Sequence, residues 1–146
     1  MFPLAKTPAR VKVRIWENCG YFYVLRRFGE CWESISRHKT RDRAATRVEL
    51  EMQLMDWAED VKMRAHYTCE VPGCWERDKA LLHAHHKKPK STNPEDMLDP
   101  ENGECVCIWH HAVRHWANKV VRNMILAKLG FIEGVRKHPE DKKLVA

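Results

Sequence analysis

Residues 69 to 115 carry six of the chain's nine histidines and four of its six cysteines. In order they read Cys69-x4-Cys74, His83-Ala-His85-His86, Cys105-Val-Cys107-Ile-Trp-His110-His111 and His115, with Asn102 between the groups. Thiolates and imidazoles are the ligands of borderline-soft ions such as zinc. Packing alone does not ask for so many of them in so short a stretch. Their density predicts two metal sites, one that holds the fold and one that does chemistry.

Structural zinc sites pair cysteine and histidine in two tight turns. Cys69-Glu-Val-Pro-Gly-Cys74 is one such turn, folded back by Pro72-Gly73 so that both sulfurs point inward. Cys107-Ile-Trp-His110 is the second, with a two-residue spacer. Together they predict a Cys3His site, with Cys105 as a less well spaced alternative to Cys107. Cys19 and Cys31 lie outside this pattern and are expected in the core, because free cysteine packs as a small hydrophobe. The other polar residues are left for a second site. His85 and His86 are neighbours at a strand end, so their side chains diverge and one can bind metal while the other faces a substrate. His111 and His115 are four apart on a helix and can reach one ion from one face. Asn102 can hold its loop or orient an imidazole.

These residues need a scaffold. Val11-Lys-Val-Arg-Ile-Trp16 alternates apolar with basic and predicts a strand. Asn18-Cys19-Gly20 carries turn chemistry. Tyr21 to Phe28 predicts a second strand, Phe28-Gly29-Glu30 another turn, and Cys31 to Ser36 a third strand with Trp32 and Ile35 toward a core. A long helix is expected from about Arg41 to Arg64, with Thr40 as N-cap. Its apolar set is Ala44, Val48, Leu50, Met52, Leu54, Met55, Ala58, Val61 and Met63; Glu49, Glu51, Asp56, Glu59 and Asp60 form a polar face. Leu81 to His85 predicts a short strand, and residues 87–103 a polar, proline-rich loop. From about His110 to Leu129, Val113, Trp116, Ala117, Val120, Val121, Met124 and Ile125 recur at helical steps, with Gly130 at C′. The domain division expected is 1–62, 63–134 and a charged tail, 135–146.

Charge is unevenly placed. Residues 1–43 carry ten Lys/Arg against four Asp/Glu, and residues 44–146 carry sixteen of each, so the whole net charge of +6 sits in the first third. That is an electrostatic footprint for a polyanion, most simply nucleic acid. Arg10, Lys12, Arg14, Arg26, Arg27, Arg37, Lys39, Arg41 and Arg43 are the candidate contacts. A charged fraction of 32% with 44% hydrophobic residues is that of a globular protein rather than a disordered one. No apolar run approaches the ~20 residues that span a bilayer. The first residues lack a signal-peptide core, so a cytoplasmic, unsecreted protein with reduced thiols is expected.

The ligand pattern resembles that of the HNH endonucleases, the ββα-metal nucleases. Their pattern is a cysteine pair, a strand ending in His-His or Asp-His followed by a proline, an Asn in the loop, then a Cys-x2-Cys turn running directly into a helix that opens with His. Here it reads Cys69/Cys74, Leu82-His-Ala-His85-His86-Lys-Lys-Pro89, Glu101-Asn102-Gly103 and Cys107-x2-His110-His111, within residues 64–122. Two positions depart from it. The first cysteine pair is separated by four residues instead of two, and His110 stands where many relatives have Cys.

The strand and helix patterns give a small antiparallel β-meander with a long helix, and the resemblance implies that a zinc-stabilised ββα-metal domain follows, making an α+β chain. It implies that His86 is the general base and that His85 and His111 hold a catalytic divalent ion (Mg²⁺, Mn²⁺, Ni²⁺ or Zn²⁺). His115 would add a contact to metal or phosphate, and Asn102 would keep loop and base oriented. Cys69, Cys74, Cys107 and His110 would hold structural zinc. The implied activity is hydrolysis of DNA phosphodiesters by nicking or double-strand cleavage. Double-stranded DNA would be the partner, in a bacterial or phage-infected cell, with monomer and homodimer both open. Two alternatives share the zinc ligands: a non-catalytic zinc-stabilised nucleic-acid-binding protein, and an RNA-cleaving nuclease of the same fold. A metalloprotease is disfavoured, since no His-Glu-x-x-His run is present.

Overall fold

Cys19 and Gly20 both take positive φ, 52° and 79°. Such a two-residue turn matches the twist of the strands it joins. Those strands are β1 (Val13–Asn18) and β2 (Tyr21–Phe28), and β3 (Cys31–His38) completes an antiparallel sheet ordered β1-β2-β3. The computed structural model describes residues 12–28 and 31–131. Val11, Arg10, the turn at Gly29-Glu30 and the tail 135–146 lie outside them. β3 runs to His38, past the expected end at Ser36.

Side chains alternate across the sheet. Val13 and Val24 are buried on one face, and Arg26, paired with Val13, shares that face. The other face carries Arg14, Trp16, Tyr21, Tyr23, Trp32 and Arg37, with Trp16, Tyr23 and Arg37 in one cross-strand row. Cys19 and Cys31 are exposed, not in the core. Cys19 sits in the turn between β1 and β2, and Cys31 opens β3.

Helix α1 (Arg41–Arg64) has the expected bounds. The Arg43 N–H donates to Thr40 Oγ1 at 3.3 Å, the N-cap bond. The chain divides into two compact units, Met1–Gln53 and Leu54–Ala146, so the division falls inside this helix. Its buried stripe differs from the expected one. Ala44 and Val61 are buried as expected, but Met52 and Met63 are exposed, and Trp57, outside the expected set, is buried. Glu51, expected on the polar face, is 5% exposed. Arg47 at 2.9 Å and Arg26 at 3.8 Å compensate its charge.

In the second unit the chain turns at His66 and Tyr67, both at positive φ, and Tyr67 N–H closes on Lys62 O at 2.9 Å. Strand β4 (Leu82–His86) pairs antiparallel with β5 (Gly103–Cys107), from Leu82↔Cys107 to His86↔Gly103. The loop between them contains two short 3-10 turns, Pro94–Asp96 and Pro100–Asn102.

The expected single last helix is two: α2 (Ile108–Arg114) and α3 (Lys119–Ala127). Asn118 caps α3, its side chain accepting from Val121 N–H. That cap overrides an apolar period that runs through the break, and Val120 and Met124 are exposed as a result. Gly130 lies inside a final 3-10 turn, Lys128–Phe131. Leu81, Leu82, Val106, Ile108, Trp109 and Ile125 are buried together with Trp57 and Val61. The architecture is α+β, a three-stranded sheet and long helix followed by a ββα unit with a further helix. No described helix is long and apolar enough to cross a membrane.

Candidate metal centres

The loop 69–76 is a tight knuckle. Cys69 N–H donates to Glu76 O at 2.9 Å and Cys74 N–H to Val71 O at 3.1 Å, with Gly73 at φ +82° in the turn. Glu70 pins it to β5 twice, its N–H on Cys105 O and its carboxylate on Cys105 N–H. β5 ends at Cys107, which is also the N-cap residue of α2, and the first turn of that helix brings His110 back over the same spot.

Cys69, Cys74, Cys107 and His110 therefore meet, one donor atom from each lying within 4.8 Å of all the others. Cys74 Sγ is 3.8 Å from Cys107 Sγ; His110 Nδ1 is 3.1 Å from Cys107 Sγ and 3.6 Å from Cys69 Sγ. This is a cluster compatible with a structural metal. Cys105, the alternative ligand, is not in it; it is fully buried, and burial pushes its thiol up to about 11. Charge in the cluster is uneven. The hydrogen bond from Cys107 brings Cys69 down to about 5, the same bond drives Cys107 up, and burial raises Cys74. Three thiols so close cannot all ionise without a cation between them, and a metal ion there would draw off the remaining protons.

Adjacent histidines on α2 serve different sides of that helix. His110 faces the cysteines, while His111 turns toward His85 and His115. Those three also form a cluster, with donor atoms within 4.8 Å of one another. Ring centroids are 5.4 Å for His85–His111 and 5.0 Å for both His85–His115 and His111–His115. His85 Nδ1 is buried and has no hydrogen-bond partner among the described residues. A polar atom so placed costs free energy unless something binds it, and an imidazole lone pair in this company suits a cation. Burial pushes His85 down to about 4, His111 further and His115 less far, so the rings are held in the neutral form that ligates.

His83 was not singled out by the sequence reading as a member of this group. Its Nδ1 is 2.8 Å from His111 Nδ1. The signal was present, since His83 and His85 are two apart on a strand and share a face.

His86 points to the other face of β4. Its ring stacks on Trp57, with centroids 3.8 Å apart and planes 9° from parallel. Nε2 lies 2.9 Å from Met97 O. A carbonyl only accepts, so Nε2 carries the proton and Nδ1 keeps a lone pair. Burial lowers the His86 pKa, the Met97 bond opposes the shift, and Lys90 adds to it. Asn102 is buried and touches no imidazole by any described hydrogen bond. It fastens the loop instead: its side-chain oxygen accepts from Lys88 N–H, and its amide nitrogen donates to Lys88 O and Asp96 O. Met97, the acceptor for His86, follows directly on Asp96.

The basic candidates of the first unit separate by contact. Arg14 lies 4.2 Å over the Trp32 ring, Arg37 4.4 Å over Tyr21 and Arg41 5.3 Å over Phe22. Arg41 also reaches Glu17, and Arg26 is engaged with Glu51. Lys12, Lys39 and Arg43 are exposed, and Arg27 is half-buried. Compared with models of known families, with curated proteins and with solved structures, the chain matches none.

Proposed function

We propose that the chain is a metal-dependent endonuclease of the ββα-metal type, hydrolysing DNA phosphodiester bonds. The observation that carries this reading is the pairing on β4. His85 joins His111 and His115 in one cluster of neutral donors, while the next residue, His86, offers a bare Nδ1 outside it. A module that only bound nucleic acid would need the cysteine cluster but neither of these.

In this reading the first cluster holds zinc. A tetrahedral ion with bonds of about 2.3 Å to sulfur and 2.0 Å to nitrogen sets sulfurs ~3.8 Å apart and sulfur from nitrogen ~3.5 Å. The Cys74–Cys107 and Cys69–His110 separations of 3.8 and 3.6 Å fit those edges, and Cys107–His110 at 3.1 Å is shorter than one. The second cluster takes the catalytic divalent ion, Mg²⁺, Mn²⁺, Ni²⁺ or Zn²⁺. When bound, that ion supplies Lewis-acid stabilisation of charge growing on the scissile phosphate.

His86 does the proton work. Its Nδ1 takes a proton from water as the water oxygen bonds to phosphorus, and the bond from phosphorus to the 3′ oxygen breaks, the departing 3′ oxyanion taking a proton from solvent water to leave as a hydroxyl. The Met97 carbonyl stabilises the imidazolium that results, because Nε2–H remains donated to it. Asn102 keeps the loop that carries Met97 in register. Arg14 and Arg37, on the aromatic face of the three-stranded sheet, grip phosphates.

The test is cleavage of supercoiled plasmid with each of the four ions and with EDTA, beside an RNA panel. His86→Ala should lose about 10²–10⁴-fold in rate while keeping its zinc and fold. A folded, zinc-loaded wild type that cuts no DNA with any of the ions defeats the reading, as does a fully active His86→Ala.

A further inference from the structure

A hydrogen bond at one vertex of an imidazole fixes a direction and leaves the ring free to turn about it. His86 has such a bond, from Nε2–H to Met97 O at 2.9 Å. A second constraint removes the turn. The Trp57 indole lies flat on the imidazole, 3.8 Å away and 9° from parallel.

The indole is itself fixed. Trp57 is 4% exposed, and its Nε1–H donates to Asp99 O at 2.8 Å. Asp99 and Met97 belong to one loop segment, so the acceptors for the indole and the imidazole are two residues apart and move together. The side chain of Asn102 holds the same segment through Asp96 O. Space for the stack comes from Gly103, the partner of His86 across the strands, where even a Cβ would meet Trp57 Cζ2 at 3.0 Å.

We propose that Trp57 is the positioning residue for His86, holding the imidazole plane so that Nδ1 presents its lone pair in one direction. This rests on the reading of His86 as the base. Trp57 touches neither water nor phosphate in this role; it acts through the ring it covers. Orientation errors near 1 Å cost a reaction of this kind up to about 100-fold. A flat hydrocarbon ring meets the requirement, and a branched aliphatic of similar bulk does not.

The test has two arms on the full-length, zinc-loaded protein. In the first, Trp57→Phe and Trp57→Leu are compared in single-turnover cleavage with a correct fold checked by zinc content and circular dichroism. Trp57→Phe should keep most of kcat, whereas Trp57→Leu should lose about 10–100-fold in kcat with KM nearly unchanged. Equal activity of the two, or a loss confined to KM, overturns the proposal. In the second arm, imidazole ¹⁵N–¹H correlation spectra of the wild type read His86 directly. An Nε2–H tautomer with ring protons shifted upfield by the indole is expected. An Nδ1–H tautomer or unshifted protons overturn the proposal, even where Trp57→Leu fails to fold. If the wild type cuts no nucleic acid, the nuclease reading falls, and these spectra still decide whether Trp57 holds the ring.

Discussion

Gly103 and Val61 leave no room for a side chain between β5 and α1. A Cβ at Gly103 would collide with Val61 Cγ2 and press on Trp57 Cζ2 at 3.0 Å. Neither neighbour is the free end of a flexible chain, since Trp57 and Val61 are both buried. Gly103→Ala should therefore cost about 1–3 kcal/mol by overpacking, read as a lower denaturant midpoint at unchanged m. Adding Val61→Ala should recover part of it. Gly103→Ala at wild-type stability would show that the helix can move away freely.

The two cysteines of β5 should behave in opposite ways. Cys107 belongs to the Cys3His cluster and Cys105 does not. Cys107→Ser should lose the tightly held ion and cooperative unfolding with it, because metal binding and folding are coupled in such domains. Cys105→Ser should keep the ion and lose only packing. Metal analysis by mass spectrometry alongside thermal melts separates them. Retention of a full complement of metal by Cys107→Ser would remove it from the ligand set.

Most of the scaffold was legible because its signals were strong and local. The span of α1 follows from Thr40, which does cap it, and β2 from a run of aromatic and branched residues. The failures have physical causes. β5 is five residues opening on a glycine, Gly-Glu-Cys-Val-Cys, and its ligand spacing masks its pairing with β4. The apolar period of the last helix runs unbroken through Trp116 and Val120, and only the Asn118 cap shows that the chain restarts. Trp57 was missed because α1 shows no clean stripe, with Met52 and Met63 exposed and Glu51 buried. Of the candidate site, spacing grouped Cys69, Cys74 and Cys107 with His110 and paired His111 with His115, whereas His85 joined that pair only through the family resemblance. Which face each histidine takes also follows from strand and helix periods. The stack on Trp57 and the bond to Met97 join residues far apart in sequence, and no local pattern encodes them.

Acid should displace an ion from the histidine cluster later than from exposed histidines. The ligating form is neutral imidazole, so protons compete only near and below each ring's pKa. Burial holds His85 at about 4, below the ordinary value of 6.5, and His111 is lowered by the same cause. Affinity for Zn²⁺ or Ni²⁺ at this site should thus change little between pH 8 and about pH 6, where unperturbed imidazoles already begin to protonate. It should fall as pH drops further. Calorimetric titration of protein already loaded at the cysteine cluster measures this. His85→Ala should abolish the binding at every pH, and a midpoint near 6.5 in the wild type would mean that the rings are not desolvated.

The arginines of the first unit should divide by what they already touch. Arg14 and Arg37 lie over aromatic rings on the sheet face opposite Val13 and Val24, whereas Arg26 is bound to buried Glu51. Each phosphate contact releases counterions, so losing one should flatten the plot of log affinity against log salt by about 0.9. Arg14→Ala and Arg37→Ala should show that change in fluorescence anisotropy with duplex DNA, and together should roughly double it. Arg26→Ala should leave the slope alone and lower stability, because it takes a compensating charge from a buried carboxylate that Arg47, among the described residues, also pairs with. A slope change in Arg26→Ala with none in the other two would move the nucleic-acid contact off this face of the sheet.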